Sequence, residues 1–357
     1  MAEATWKIIG ASGFVGSSIV ARLATEGMKV DAIEAPRLTT RETNSDQLIR
    51  TARKLEGIID SLADSFAGCD VVINASGLAA PDQKDLAPLL GANALLPALI
   101  AIAAQRTGVR RLIHISSAAV QGQVEVLTDN PETNPFSAYS FSKALGEEVL
   151  LKLRHFIEET AASGTAPGSD QSEFPAAPSY APASVAPHHA LEICVLRATS
   201  VQGQGRRTTE AFAKIASSPL ASVAGNGKHR TPVSSNYALA EFTVQVGAFA
   251  GHLPPIVVQP WEGSTTESVV INAGRRYPVH VPEWLCRTLI KTGYTISDYL
   301  GDRFAGPVRR LEVMWFGQDV DDRWARENNL LPTPRVNDVL RAAHTALGKK
   351  SDRKYTG

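Results

Sequence analysis

Residues 6–16 read Trp-Lys-Ile-Ile-Gly-Ala-Ser-Gly-Phe-Val-Gly, and an amphipathic run from Ser17 to Gly27 follows them. An apolar run, a glycine-spaced turn and a helical pattern make a strand, a tight turn and a helix. That arrangement lets a backbone approach a pyrophosphate and hold it on a helix N-terminus. Gly10 permits the turn, Gly13 lets the phosphates come close, and Gly16 lets the helix pack on the strand. An ordinary strand-to-helix turn can carry the same three glycines, so the flanking strand and helix decide for a dinucleotide site.

The second strand reads Met28 to Glu34, and Glu34 ends it. A carboxylate there accepts hydrogen bonds from adenine ribose hydroxyls and repels a 2′-phosphate, which favours NAD over NADP. Arg37 pulls the other way, because a guanidinium pairs well with phosphate. NAD is the expected cofactor, with NADP left open.

Working outward, apolar runs at 6–9, 28–34, 70–75, 111–116 and 191–197 alternate with helical patterns at 14–26, 45–67, 84–107 and 137–159. Continuous apolar strands separated by helices imply a parallel sheet covered on both faces, a Rossmann-type doubly wound α/β fold. Between Glu34 and Asp70 a long helical pattern stands where such a sheet normally has a strand. Residues 160–189 are rich in Ala, Pro, Ser and Gly and are expected to loop out as a disordered surface insertion. The pair His188-His189 at its end has no third ligand near it in sequence, and no metal site is expected. After Gly205 the alternation weakens. The expected division is a cofactor-binding domain over 1–205 and a smaller substrate-binding lobe over 206–357, with a solvated tail from Gly348.

The 357 residues carry 36 Lys+Arg and 36 Asp+Glu. This balance gives no reason to expect nucleic acid or a membrane surface as partner. Three scattered cysteines form neither a disulfide framework nor a metal spacing. The start lacks the regions of a signal peptide, and the apolar stretch Leu86 to Ala104 is short for a span and holds Asn93 and Pro97. A cytoplasmic protein, a homodimer, is the expectation. Pro97 has no N–H, so the carbonyl of Asn93 loses its helical partner. The result is either a packing kink or a water that links Asn93 to the lysine discussed next.

Tyr139 and Lys143 stand at i and i+4, on one helix face. A cation within about 4–6 Å lowers a phenol pKa by roughly 1–3 units. Tyr139 could then exchange a proton with a substrate hydroxyl while hydride moves, and Lys143 could also hold the nicotinamide ribose. The pair opens the helix after the strand that ends at Ser116-Ser117. Serines at the C-terminal edge of such a strand lie where open α/β sheets place their ligands.

Together, the glycine turn, Glu34, Asn-Ala-Ser-Gly (74–77), Asn93, His-Ile-Ser-Ser-Ala-Ala-Val-Gln-Gly (114–122), Tyr139 with Lys143, and Leu-Arg-Ala-Thr-Ser-Val-Gln-Gly-Gln-Gly (196–205) resemble the extended short-chain dehydrogenase/reductases. These are the NAD-dependent epimerase/dehydratase family. The resemblance covers about residues 5–245. It implies Ser117 as the catalytic hydroxyl, Tyr139 as acid/base and Lys143 as its activator. It places the pyrophosphate on Gly10, Ser12, Gly13, Phe14, Val15 and Gly16, with Ala75, Ser76, Gly77 and Asn93 lining the cofactor. Ala198 to Ser200 would close over the nicotinamide.

Departures from the family pattern matter. Ala118 and Ala119 stand where the sugar dehydratases carry an acidic pair, and methyl groups cannot move protons, so dehydration is not expected. His229 and Arg230 fall nearest the place of a nucleotide-diphosphate contact, and Ala118 would touch the substrate. The expectation is a nucleotide-sugar epimerase or ketosugar reductase working at a secondary alcohol. A hydroxysteroid-type dehydrogenase and a non-catalytic dinucleotide sensor are the alternatives.

Overall fold

The computed structural model describes residues 4–79, 85–163, 190–299 and 305–355. Four strands follow the expected runs: β1 (Trp6–Ile9), β2 (Val30–Ile33), β3 (Val71–Asn74) and β4 (Arg111–Ser117). Glu192–Ala198 and Ile256–Val258 complete a six-stranded sheet in the order 256–258, 192–198, β4, β3, β1, β2, every neighbour parallel. Helices α1 (Phe14–Thr25), α2 (Ser45–Lys54), α3 (Glu56–Phe66), α4 (Leu86–Leu90), α5 (Leu96–Arg106) and α6 (Ala138–Ser163) punctuate the strands. One face of the sheet packs Ile9, Val72, Leu112 and Ile193 beneath α2, α3, α5 and α6. The other packs Ile8, Ile73, Ile113 and Leu196 against α1 and a later helix. Strands buried on both sides cannot alternate polar and apolar residues, which is why they read as continuous runs.

No strand forms among residues 34–70. The sheet ends at β2, and the chain after it leaves the ladder and crosses to the apolar helices. Thr40 N–H donates to the Ala87 carbonyl at 3.2 Å. A Cβ at Gly91 would sit 2.0 Å from the Leu38 carbonyl oxygen, so only glycine lets the two backbones pass. The single long helix expected over 45–67 is two, because Leu55 leaves helical geometry (φ −91°, ψ 50°).

The stretch Leu86–Arg106 is long and apolar enough to cross a membrane, but it is 72% buried within the protein. It is not one regular helix. A π turn, Gly91–Leu95, joins α4 to α5 just before Pro97. The carbonyl of Asn93, which Pro97 cannot serve, packs on α6: a Cβ at Gly146 would lie 2.0 Å from its oxygen. The turn brings α5 against α6.

The helices beyond the insertion are α7 (Arg207–Ser217), α8 (Asn236–Ala248), α9 (Thr266–Gly274), α10 (Glu283–Tyr299), α11 (Ala305–Phe316), α12 (Arg323–Glu327) and α13 (Val336–Tyr355). They move the expected boundary at 205. Helix α8 packs on α1, with Asn236 Nδ2 donating to Ser18 Oγ at 2.8 Å. Ile256–Val258 pairs with Glu192–Ala198. The cofactor-type sheet therefore draws on the chain as far as Val258. The smaller lobe is built on a parallel pair, Ser222–Ala224 with Val279–Val281. Helices α7, α9 and α13 cover one side of that pair, α10 and α11 the other. The expected solvated tail is helical as far as Tyr355. Val336, Leu340 and Ala343 anchor α13, and a nucleated helix propagates cheaply into polar residues. Of the insertion, 160–163 ends α6; the remainder, His188 and His189 included, lies outside the described residues.

One buried carboxylate joins the two parts. Glu262 is 4% exposed. It accepts from Ser235 N–H (2.5 Å) and hydroxyl (3.1 Å) at the start of α8, and from the N–H groups of Arg335 (2.8 Å) and Val336 (2.9 Å) at the start of α13. A helix N-terminus leaves its first N–H groups without partners and favours a negative charge; Glu262 serves two such ends at once.

Candidate active site

The glycine turn is built as the sequence implies. Gly10 takes φ +85°, and a Cβ there would lie 2.6 Å from Ser76 N. A Cβ on Gly16 would lie 2.0 Å from the Gly10 carbonyl oxygen, so α1 packs directly on the turn. Gly13 is the N-cap, and no side chain caps α1. Ser12 and Gly13 are exposed, while Phe14 and Val15 are half-buried in the first helical turn. An uncapped N-terminus open to solvent and approached by bare backbone fits a dinucleotide pyrophosphate. Glu34 follows β2 directly and is exposed, as is Arg37.

A buried polar chain fixes the loop beside this turn. Asn74 Oδ1 accepts from Ser76 N–H (3.1 Å) and hydroxyl (2.5 Å), and its Nδ2 donates to His114 Nδ1 at 3.0 Å. With Nδ1 accepting, the neutral imidazole carries its proton on Nε2, a buried atom without a partner. Burial, helped by the charge of Lys143, holds His114 well below its ordinary pKa. Asn93 departs from the expectation that it lines the cofactor. It is fully buried. It holds Leu78 by both N–H (3.0 Å) and carbonyl (3.1 Å) and donates to Ser142 Oγ at 2.9 Å. Asn93 shapes the 75–78 loop from behind. Gly77 lies in the angle between Asn93 and Lys143: a Cβ there would be 2.7 Å from Asn93 Oδ1 and 3.1 Å from Lys143 Nζ.

Ser117, Tyr139 and Lys143 come together at the C-terminal end of β4. The Ser117 hydroxyl lies near enough to the Tyr139 phenol to favour its ionised form. Lys143 Nζ donates to the Ile115 carbonyl at 2.9 Å, which fixes the ammonium one helical turn below the phenol. Burial holds the Tyr139 phenol above its ordinary pKa, against Ser117 and the nearby Arg206 charge, which both lower it. A bound positive cofactor ring would add to that lowering.

Three residues beyond the expected set support this trio. Glu147, one turn past Lys143, is 1% exposed. It pairs with Arg197 at 2.8 Å and accepts from Ser116 Oγ at 2.5 Å. Its i+4 spacing from Lys143 was a readable signal. Arg197 also donates to the Thr128 (3.0 Å) and Asn130 (2.6 Å) carbonyls, pinning the loop between β4 and α6. Arg206 stacks on Phe14, 4.6 Å from the ring centroid, and donates to the Val201 carbonyl. It follows the last motif by one residue, and nothing in its spacing marked it.

The expected substrate contacts fare less well. Ala118 is 5% exposed and packs with Leu127, Val258 and Val320, so it does not face a ligand. Arg230 pairs with Asp319 at 2.9 Å and stacks over Trp261 at 4.0 Å, and His229 meets Glu283 at 3.2 Å. Both basic groups are already engaged. Ala198 is buried, whereas Ser200 is exposed.

Burial lowers the Lys143 ammonium to about 8, partly offset by Glu147. An unfolded lysine titrates near 10.4. The folded protein thus binds the proton less tightly than the unfolded chain between these values, and stability should rise with pH across that window. Denaturant titrations of the wild type and Lys143→Met at pH 8 and above 10 check this. The wild-type stability, minus that of the variant, should climb by about 2–3 kcal/mol. A flat difference would mean that the ammonium keeps its ordinary pKa.

With this geometry in place, comparison with known proteins is informative. Residues 6–160 match the NAD dependent epimerase/dehydratase family. That segment of the epimerase/dehydratase type holds the glycine turn, Ser117, Tyr139 and Lys143. A curated relative, the 4-hydroxy-2-methyl-3-oxo-4-farnesyl-3,4-dihydroquinoline-1-oxide ketoreductase of Stigmatella aurantiaca, is 26% identical over 155 residues, covering 41% of this chain and 44% of the relative. The fold is similar to that of UDP-glucuronic acid 4-epimerase from Bacillus cereus in complex with NAD, with a TM-score of 0.59 at 14% identity over 96% of this chain and 95% of that one. It is also similar to a human epimerase family protein with NADPH, with a TM-score of 0.57 at 15% identity over 96% and 99%. NAD and NADPH both occur among these neighbours.

Proposed function

We propose that this protein interconverts a ketone and a secondary alcohol by hydride transfer with a nicotinamide dinucleotide. The observation that carries the reading is the Ser117–Tyr139 hydroxyl pair at the end of β4 with Lys143 fixed one turn below. The cofactor, when bound, supplies or accepts the hydride. Ser117 holds the substrate oxygen. Tyr139 gives its phenolic proton to that oxygen in reduction and takes it back in oxidation. Lys143 stands one turn along the helix, and its bond to the Ile115 carbonyl keeps the ammonium from swinging away. Arg206 adds a second charge beside the phenol.

Two directions of use differ in what the pocket must hold. A ketone reductase would use this site once per turnover, and the curated relative is named a ketoreductase. A nucleotide-sugar 4-epimerase would use it twice, with a diphosphate held nearby. The engagement of Arg230 by Asp319 and of His229 by Glu283 favours the single-pass reductase. Cofactor release decides between them. A reductase should exchange bound and free dinucleotide at every turnover and consume reduced cofactor in proportion to product. An epimerase should retain its NAD and consume none.

Cofactor choice is testable on its own. Glu34 should make NAD bind more tightly than NADP by about 1–3 kcal/mol through repulsion of the 2′-phosphate. Calorimetric titration of both at one salt concentration measures it. Equal affinity, or tighter NADP binding, would show that Arg37 governs the site.

A further inference from the structure

A guanidinium taken partly out of water is costly unless an anion meets it. The buried arginines of the sheet obey this. Arg111 pairs with Glu192 at 2.6 Å, Arg154 with Glu158 at 2.7 Å and Arg197 with Glu147 at 2.8 Å. Arg206 is half-buried, and among the described residues no carboxylate pairs with it. Its protein acceptor is the neutral Val201 carbonyl, met through Nη1. The other N–H groups of the fork have no protein acceptor among the described residues.

The chain holds this arginine in place. Residues 203–206 form a turn closed by Arg206 N–H on the Gly203 carbonyl at 3.3 Å, with Gly205 at φ +76° in its third position. Thr209 Oγ1 accepts from Gly203 N–H at 3.1 Å and donates to Gln202 Oε1 at 2.9 Å, which ties the turn to α7. A Cβ on Gly203 would lie 2.3 Å from Phe14 Cε2, so the turn packs directly on the Phe14 ring. The Arg206 guanidinium stands over that ring, 4.6 Å from its centroid. Phe14 is the first residue of α1, and no side chain caps that helix end. A cation without a carboxylate is thus brought to a helix N-terminus without a cap. Both favour negative charge. Tyr139 feels the same cation, so the glycine turn and the phenol share it. A diphosphate, with acceptor oxygens on each phosphate, suits a planar fork and a row of backbone N–H groups together.

We propose that Arg206 is the cationic partner of the dinucleotide pyrophosphate, pairing with the phosphate oxygens that the backbone at the start of α1 holds. The inference rests on the dinucleotide reading above. It gives the ligand a contact from beyond the residues 6–160 that the family match covers.

A substrate anion is the other source of the same chemistry, and the test separates the two. Calorimetric titration measures NAD, NADH and ADP-ribose, which share the pyrophosphate and differ at the nicotinamide. The proteins are the wild type, the neutral variants Arg206→Met and Arg206→Gln, and Arg206→Lys. All three ligands should bind the neutral variants about 10- to 100-fold more weakly, each by the same factor. Added salt should weaken the wild type more than those variants. Arg206→Lys keeps the charge without the fork and should recover part of the loss. Urea midpoints near the wild-type value report that the variants fold. Unchanged affinities in the neutral variants would overturn the proposal. The cation would then serve a substrate anion, seen as a raised KM for a carboxylate-bearing ketone, or the phenol alone, seen as a shifted pH profile of kcat. A loss confined to NAD or NADH, with ADP-ribose unchanged, would also overturn it, by placing the charge at the nicotinamide. If the wild type binds none of the three ligands, the hydride-transfer reading falls as well. Wild-type binding that the neutral variants keep sinks this inference alone.

Discussion

Tyr139→Phe should lower turnover by about 10²–10⁴-fold while leaving dinucleotide affinity near its wild-type value. The substitution removes the proton carrier and keeps the ring, its packing and its place in the first turn of α6. Ser117→Ala should cost less, on the order of 1–3 kcal/mol in transition-state stabilisation, because it removes one oriented hydrogen bond. Steady-state rates with a ketone substrate, together with calorimetric dinucleotide titration, separate the two effects. A Tyr139→Phe protein that turns over normally would sink the acid/base assignment and restore the reading of a dinucleotide sensor.

Glu262→Ala should be strongly destabilising. It strips an acceptor from Ser235 N–H and hydroxyl and from the N–H groups of Arg335 and Val336. Each unpaired buried donor costs about 1–3 kcal/mol, and relaxation recovers part of the sum, so a loss of about 3–5 kcal/mol is expected. A native protein has only about 5–15 kcal/mol in hand. Urea unfolding reads the loss directly as a lowered midpoint. Glu262→Gln keeps one oxygen and should fall between the two. An unchanged midpoint in the alanine variant would show that water serves these helix ends equally well.

The first half of the chain was legible because its chemistry is local. Buried parallel strands announce themselves as apolar runs, and the glycine turn has a fixed spacing. The absence of a strand after Glu34 could also be read, since a helical period fills the whole interval. Legibility failed where contacts are distant in sequence. The run at 256–259 reads as a short strand, but its pairing with Glu192–Ala198 was not foreseen, because it was assigned to the smaller lobe, separated from the sheet by the short strands and helix of 200–235. Ala118 lies beside Ser117, yet the single 3₁₀ turn that starts there carries it into an apolar cluster. Asn93 was identified as important, but its partners, Leu78 and Ser142, are set by the π turn and by α6 rather than by a ligand. Arg230 looked free because Asp319 is 89 residues away.

The early end of the sheet has a practical side. Glu34 and Arg37 are exposed residues of a stretch that has left β2 and is held by Ala35 and Leu38 on the core and by the Thr40 bond to Ala87. Neither residue sits in a strand ladder, so no register depends on them. Exchanging their charges should alter folding stability by no more than about 0.5 kcal/mol, as for other surface positions. The choice between the two dinucleotides can therefore drift, or be engineered, almost independently of the scaffold that performs the chemistry.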